Sequence, residues 1–194
     1  FIVAIIPARS GSKGLINKNI KKISNRPLIN FAINDALECK FINKVVVSTD
    51  SPKIKKIAES CGAEVPFLRS KKLSGDKVAS NPVILDALVR LEKIYNKKID
   101  IIVYLQATEI FREKWMLNKC IKTLINDKTF DSCFVAYETH KNFWELDKNG
   151  DPKRINQKKY DKVRQNKKSL FREDTGLACA TRRKIVLKGK RIGG

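Results

Sequence analysis

Arg9, Ser10, Gly11, Ser12, Lys13, Gly14, Lys18 and Asn19 crowd charge, hydroxyls and flexible backbone into one short stretch of the chain. These are the parts needed to hold a phosphate chain. Gly11 and Gly14 let backbone N–H groups turn toward a ligand, while Arg9, Lys13 and Lys18 supply positive charge beside them. The spacing is neither GxxxxGK[ST] nor GxGxxG, so this is not one of the two common glycine-rich nucleotide loops. Taken alone, the pattern also suits a solvated basic loop.

The elements around this stretch give it a place. Ile2 to Ile6 form an unbroken apolar run, as expected of a strand buried on both faces, and the run stops at Pro7. Leu28, Phe31, Ala32, Ala36 and Leu37 predict a helix from Pro27 to Lys40. Val45, Val46 and Val47 predict a second buried strand ending in Ser48, Thr49 and Asp50. Ser51 and Pro52 then suit the cap and first turn of a helix through Cys61, with Gly62 as its stop. Helix capping is favoured over a ligand role for Asp50 as well.

Further strands are expected over Glu64–Leu68 (on an edge, because of Pro66), Ile99–Leu105, Asp131–Tyr137 and Leu177–Ala180. Helices are expected around Ile84–Tyr95, Met116–Ile125 and Arg182–Leu187. The alternation predicts an α/β fold: a Rossmann-like three-layer sandwich with a mostly parallel sheet. Ligands of such sheets sit beyond the carboxyl ends of the strands. That rule puts residues 9–18, 48–50 and 106–112 along one rim. The polar, basic stretch from Glu138 to Ser169 lacks periodicity and reads as an excursion (residues 138–169): a lid, a hairpin arm or a dimer contact.

Composition narrows the classes. The 194 residues suit one domain, and no apolar run approaches the ~20 residues of a membrane helix. The five cysteines show no CxxC spacing, so a zinc or disulfide framework is not expected. Buried free thiols in a reducing cytoplasm are. Lys and Arg number 41 against 20 Asp and Glu, for a formal net charge of +21. Such a charge favours polyanions, a triphosphate among them. The cations are spread along a chain rich in Lys, Ile and Asn, without a basic helix or aromatic platform, so nucleic acid is not the expected partner.

The opening stretch resembles the signature of the acylneuraminate cytidylyltransferases, which activate sialic acids and related nonulosonates as CMP-sugars. The likeness extends to the strand and turn Val45 to Asp50, to Ala63–Arg69 followed by Leu73 and Asp76, and to Leu105, Gln106, Ala107 and Thr108 with Arg112. It extends more loosely to Arg164, Gln165, Phe171, Arg172 and Gly176. The resemblance implies a nucleotide-diphospho-sugar transferase type of fold. It implies transfer of CMP from CTP to a nonulosonic acid such as a sialic acid, with release of pyrophosphate.

By the same resemblance Lys18, Arg9 and Lys13 are catalytic cations. Arg9, Ser10, Gly11, Ser12, Lys13, Gly14, Asn19, Arg69 and Ser80 bind the nucleotide. Gln106, Thr108, Arg164, Gln165 and Arg172 bind the sugar, and Asp76 supports the loop. The partners implied are CTP, an acidic nine-carbon sugar and a second copy of the chain.

Two departures stand out. Ala107, Glu109, Ile110 and Phe111 replace a Pro, Ser, Pro and Leu of the family pattern. The family also implies Mg²⁺, whose acidic motif lies beyond Gly194, so the sequence reads as one cytidylyltransferase domain (residues 1–194), C-terminally incomplete. The alternatives are a relative that binds nucleotide or polyanion without turnover, and a nucleotidyltransferase for a different sugar acid.

Overall fold

The fold was analysed in a computed structural model, which describes residues 1–11, 14–155 and 169–193. These divide into two compact units, Phe1–Val135 with Asp174–Gly194, and Ala136–Glu173.

The first unit is built on β1 (Ile2–Pro7), which is buried on both faces as its apolar run requires. A 3-10 turn at Lys18–Ile20 and the short ribbon of β2 (Lys22–Ile23) and β3 (Arg26–Pro27) lead into α1 (Leu28–Leu37). β4 (Lys44–Ser48) and α2 (Pro52–Ser60) follow, then α3 (Ser80–Tyr95), β5 (Ile101–Tyr104), α4 (Lys114–Asn126) and β6 (Ser132–Phe134). β4 and β5 flank β1 in parallel, with Pro7 opposite Ser48 and Ile5 opposite Tyr104, so their carboxyl ends share one edge.

Alternation along the strands sorts the core into two layers. Ile2, Ala4, Ile6, Val45, Val47 and Val103 pack with the buried faces of α1, α2 and α4. Val3, Ile5, Val46 and Ile102 pack with α3 and, near the chain's end, Val186 of α5 (Arg183–Val186). The three-layer sandwich is therefore observed.

The second unit contains β7 (Ala136–Thr139), β8 (Trp144–Leu146), β9 (Pro152–Arg154) and β10 (Leu170–Glu173). β7 pairs antiparallel with β10, and β8 with β9. Tyr137, Leu146 and Phe171 leave their side chains largely exposed. The chain then re-enters the main sheet as β11 (Cys179–Arg182), which lies antiparallel between β5 and β6.

The local differences from expectation have physical causes. Glu64–Leu68 forms only isolated bridges, Glu64 with Val46 and Leu68 with Thr49, because Pro66 between them has no N–H to continue a ladder. Asp131–Tyr137 is not one strand: Val135 interrupts it, donating its N–H to Ala178 and accepting from Asp174. α1 ends at Leu37 rather than Lys40, and it buries Ile29 and Ile33, while Leu37 faces solvent. α2 ends as expected, with Gly62 at φ 94° just beyond it. Among the described residues no helix is long and apolar enough to cross a membrane, and all five cysteines are free thiols.

Candidate active site

A cleft of about 500 Å³ opens at the carboxyl edge of the sheet, entirely within the first unit. Its lining includes Arg9, Gly14, Lys18 and Asn19 after β1, then Arg69, then Ser80 at the start of α3. Tyr104, Gln106 and Thr108 at the end of β5 complete the far side. Residues expected from separate parts of the sequence thus meet around one space. The N-terminus of α3 opens there with no side-chain cap, leaving its first N–H groups and dipole for an electron-rich ligand.

The loop after β1 is held by side chains. Asn19, buried, donates from its amide to the Arg9 carbonyl at 3.1 Å. Arg9 is paired with Asp76 at 2.5 Å, and its guanidinium also meets the Gly11 carbonyl. Asp76 therefore supports the loop through an ion pair. The Asp50 carboxylate accepts from the Ser10 N–H at 2.9 Å and from the Ser10 hydroxyl at 2.7 Å. The capping role favoured for Asp50 is corrected, because Ser51 takes it by accepting from Ile54 N–H at 3.3 Å. Burial pushes the Asp50 carboxyl up, but the two donations from Ser10, a backbone bond of its own and the charge of Arg69 outweigh it and hold the group below the ordinary carboxylate value.

Arg69 is buried, with its Nε 3.2 Å from the Ser74 hydroxyl. Burial pulls its guanidinium down, against the opposing charge of Asp50. Ser80 accepts from Arg191 Nη1 at 2.7 Å, and the Arg191 guanidinium stands 4.7 Å from the Tyr104 ring. Tyr104 and Arg191 escaped the sequence reading, since a strand-end Tyr and a late Arg carry no spacing signal.

The loop after β5 is held quite differently. Arg112, expected on the rim, has a fully buried side chain beneath it. It bonds Asp35 at 2.7 Å, the Gly176 carbonyl at 3.0 Å, the Gln106 carbonyl at 3.4 Å and the Leu177 carbonyl. Gly176 leaves room for its neighbours: a Cβ there would stand 2.7 Å from Gln106 Oε1 and 3.0 Å from Glu109 Cγ, so those side chains would have to shift.

The remaining expected residues do not join the cleft's description. Gly11 and Ser10 line a shallower neighbouring hollow with Asp50 and Asp76. Arg172 belongs to the second unit, where it stacks 5.5 Å from the Tyr137 ring. Ser12, Lys13, Arg164 and Gln165 lie outside the described residues. No group of three or more His, Cys, Asp or Glu able to hold a metal occurs among the described residues. The rim carboxylates are engaged by Ser10 and Arg9, so they do not fit a ready-made Mg²⁺ site.

A cation-rich cleft at the carboxyl edge of a mostly parallel three-layer sheet is the form of a nucleotide-handling α/β protein. The sequence pattern of the family described as Cytidylyltransferase matches residues 3–191, and the chain belongs to that family. It is 41% identical over 121 residues to an N-acylneuraminate cytidylyltransferase of Escherichia coli, covering 62% of this chain and 27% of that protein. It is 40% identical over 107 residues to a CMP-N,N'-diacetyllegionaminic acid synthase of Campylobacter jejuni, covering 55% of this chain and 46% of that one. The chain thus spans less than half the length of these two relatives. Its fold resembles that of a CMP:2-keto-3-deoxy-manno-octonic acid synthetase solved with CTP, at a TM-score of 0.72 and 17% identity, covering 95% of this chain and 75% of the other.

Proposed function

We propose that the cleft binds CTP and that the protein transfers CMP to a nonulosonic acid such as a sialic acid. The observation that carries this is the meeting of Arg9, Lys18, Asn19, Arg69, Ser80, Gln106 and Thr108 around one cleft in a member of the cytidylyltransferase family. In the reaction the anomeric hydroxyl oxygen of the sugar forms a bond to the α-phosphorus. The bond from that phosphorus to the bridging oxygen breaks, the hydroxyl proton is lost, and pyrophosphate leaves with its electron pair.

Negative charge grows on the leaving pyrophosphate, and Lys18 and Arg9, with Lys13, are assigned to neutralise it. Arg69, Asn19, Ser80 and the N-terminus of α3 are assigned to the rest of the nucleotide. Gln106 and Thr108 are assigned to the sugar, together with Arg164, Gln165 and Arg172. The same reading carries a homodimer, and the free thiols suit a cytoplasmic setting.

A pyrophosphate-release assay with the four nucleoside triphosphates against a panel of sugar acids tests the proposal. It expects release with CTP and a nonulosonate; equal release with any nucleotide, or none with any acid, overturns it. Lys18→Ala is expected to lower kcat about a hundredfold with little change in KM, since its partner charge appears in the transition state. An unchanged kcat removes Lys18 from its role.

A further inference from the structure

Two carboxylates flank the loop after β1, where a polyphosphate would find negative charge unwelcome. Asp76 is offset by Arg9, at 2.5 Å. Asp50 instead takes both donors of Ser10, its N–H at 2.9 Å and its hydroxyl at 2.7 Å. Sheet pairing fixes the chain only as far as Ala8, whose N–H reaches the Ser48 carbonyl at 2.9 Å. Beyond that point Ser10 and Gly11 lie outside the strand, and fixing them without a ladder costs backbone entropy.

Asp50 is well built to supply that order. It follows Ser48 and Thr49, both buried, at the end of β4. Thr49 accepts from the Arg69 N–H at 2.7 Å through its carbonyl and from the Ser51 N–H at 3.1 Å through its hydroxyl. The anchor therefore stands on a fixed corner of the sheet.

We propose that Asp50 is a positioning residue, whose carboxylate holds Ser10 and through it sets the glycine loop in the form that receives the nucleotide's phosphates. This rests on the reading of the cleft as a CTP site. Ser10 then serves the loop through Asp50, and the phosphates are left to Arg9, the N–H groups beyond it and Lys18. The gain is preorganisation: Ser10 is held before the ligand arrives, so binding does not have to fix it.

Calorimetry with CTP on the full chain, beside thermal melts, compares wild type with Asp50→Ala, Asp50→Asn, Ser10→Ala and the double variant Ser10→Ala/Asp50→Ala. Asn keeps an oxygen to accept from the Ser10 N–H and loses the charge, while its NH2 can donate to the Ser10 hydroxyl oxygen, reversing that second bond. Asp50→Ala is expected to weaken CTP binding about tenfold, with Asp50→Asn within about threefold of wild type. The double variant is expected to be no weaker than Asp50→Ala, because the two side chains act as one unit.

Wild-type affinity in Asp50→Ala overturns the proposal. So does Asp50→Asn as weak as Asp50→Ala, which would assign the effect to charge, or full additivity in the double variant. If Asp50→Ala does not fold, the comparison of Ser10→Ala with Asp50→Asn decides, the former expected to be the weaker binder. A wild-type chain that binds no CTP overturns the cleft reading instead. Amide exchange in the ligand-free protein then decides the anchor: faster exchange of the Ser10 N–H is expected in Asp50→Ala and near wild-type exchange in Asp50→Asn, and unchanged exchange in Asp50→Ala refutes it.

Discussion

The loops after β1 and β5 end on the same edge of the sheet, yet they are secured by opposite means. The first is gripped from the side by carboxylates, Asp50 on Ser10 and Asp76 on Arg9. The second rests on a buried cation, Arg112, which gathers carbonyls from Gln106, Gly176 and Leu177 and a carboxylate from Asp35. The carboxylate grips are partly exposed, and the Arg9–Asp76 pair lies within reach of solvent and of a ligand's phosphates, whereas Asp50 keeps its hold on Ser10. Both walls of the cleft are thus held without a ligand, one by partly exposed carboxylates and the other by a buried guanidinium.

The largest break in that comparison is Arg112→Ala. Removing the buried guanidinium leaves the partly exposed Asp35 carboxylate and three carbonyls without their donor, for an expected loss of about 3 kcal/mol of stability in denaturant unfolding, the low end for a buried pair. A loss as small as that of a surface residue would show that the second loop does not depend on its guanidinium. Gly176→Ala comes next. Its Cβ must displace Gln106 Oε1, 2.7 Å away, so KM for the sugar acid is expected to rise about tenfold while CTP affinity holds. Equal loss for both substrates would erase the division of the cleft into two ends.

The smallest effect separates the anchors by pH. Asp50 titrates below its ordinary value, so its contribution is complete above pH 3.8 and disappears as pH falls through the lowered folded value. For Asp35 the order is reversed. Burial raises its carboxyl despite Arg112, so its charged form carries a cost above the raised value, relieved as pH falls through it. Acid melting curves of Asp50→Asn should therefore fall less steeply than wild type, and those of Asp35→Asn more steeply. Parallel curves would mean that the two anchors do not differ in this way.

Much of this was legible in the sequence, for identifiable reasons. Ile2 to Ile6 and Val45 to Val47 could hardly be anything but buried strands, and the strand-end rule then brings Arg9 and Gln106 to one rim, whereas Ser80 comes from the family resemblance alone. What stayed hidden was side-chain partnership across long separations. Asp50 looked like a cap because Ser51 and Pro52 follow it, and nothing local ties it to Ser10. Arg112 looked like a rim residue because a cation is seldom buried; its acceptors lie in other segments, at Asp35 and at residues 176 and 177. The antiparallel insertion of β11 was equally invisible, since the apolar run Leu177–Ala180 carries no sign of its direction.

That insertion has a consequence for how the protein is made. Because Cys179–Arg182 sits between β5 and β6, the nascent chain leaves the ribosome with Ile101–Tyr104 as an open edge for roughly seventy-five residues of synthesis. At about 5–20 residues per second, that is several seconds in which an apolar strand edge is available to the wrong partner. The late strand closes the sheet, and until it arrives the newborn protein is most in need of a chaperone.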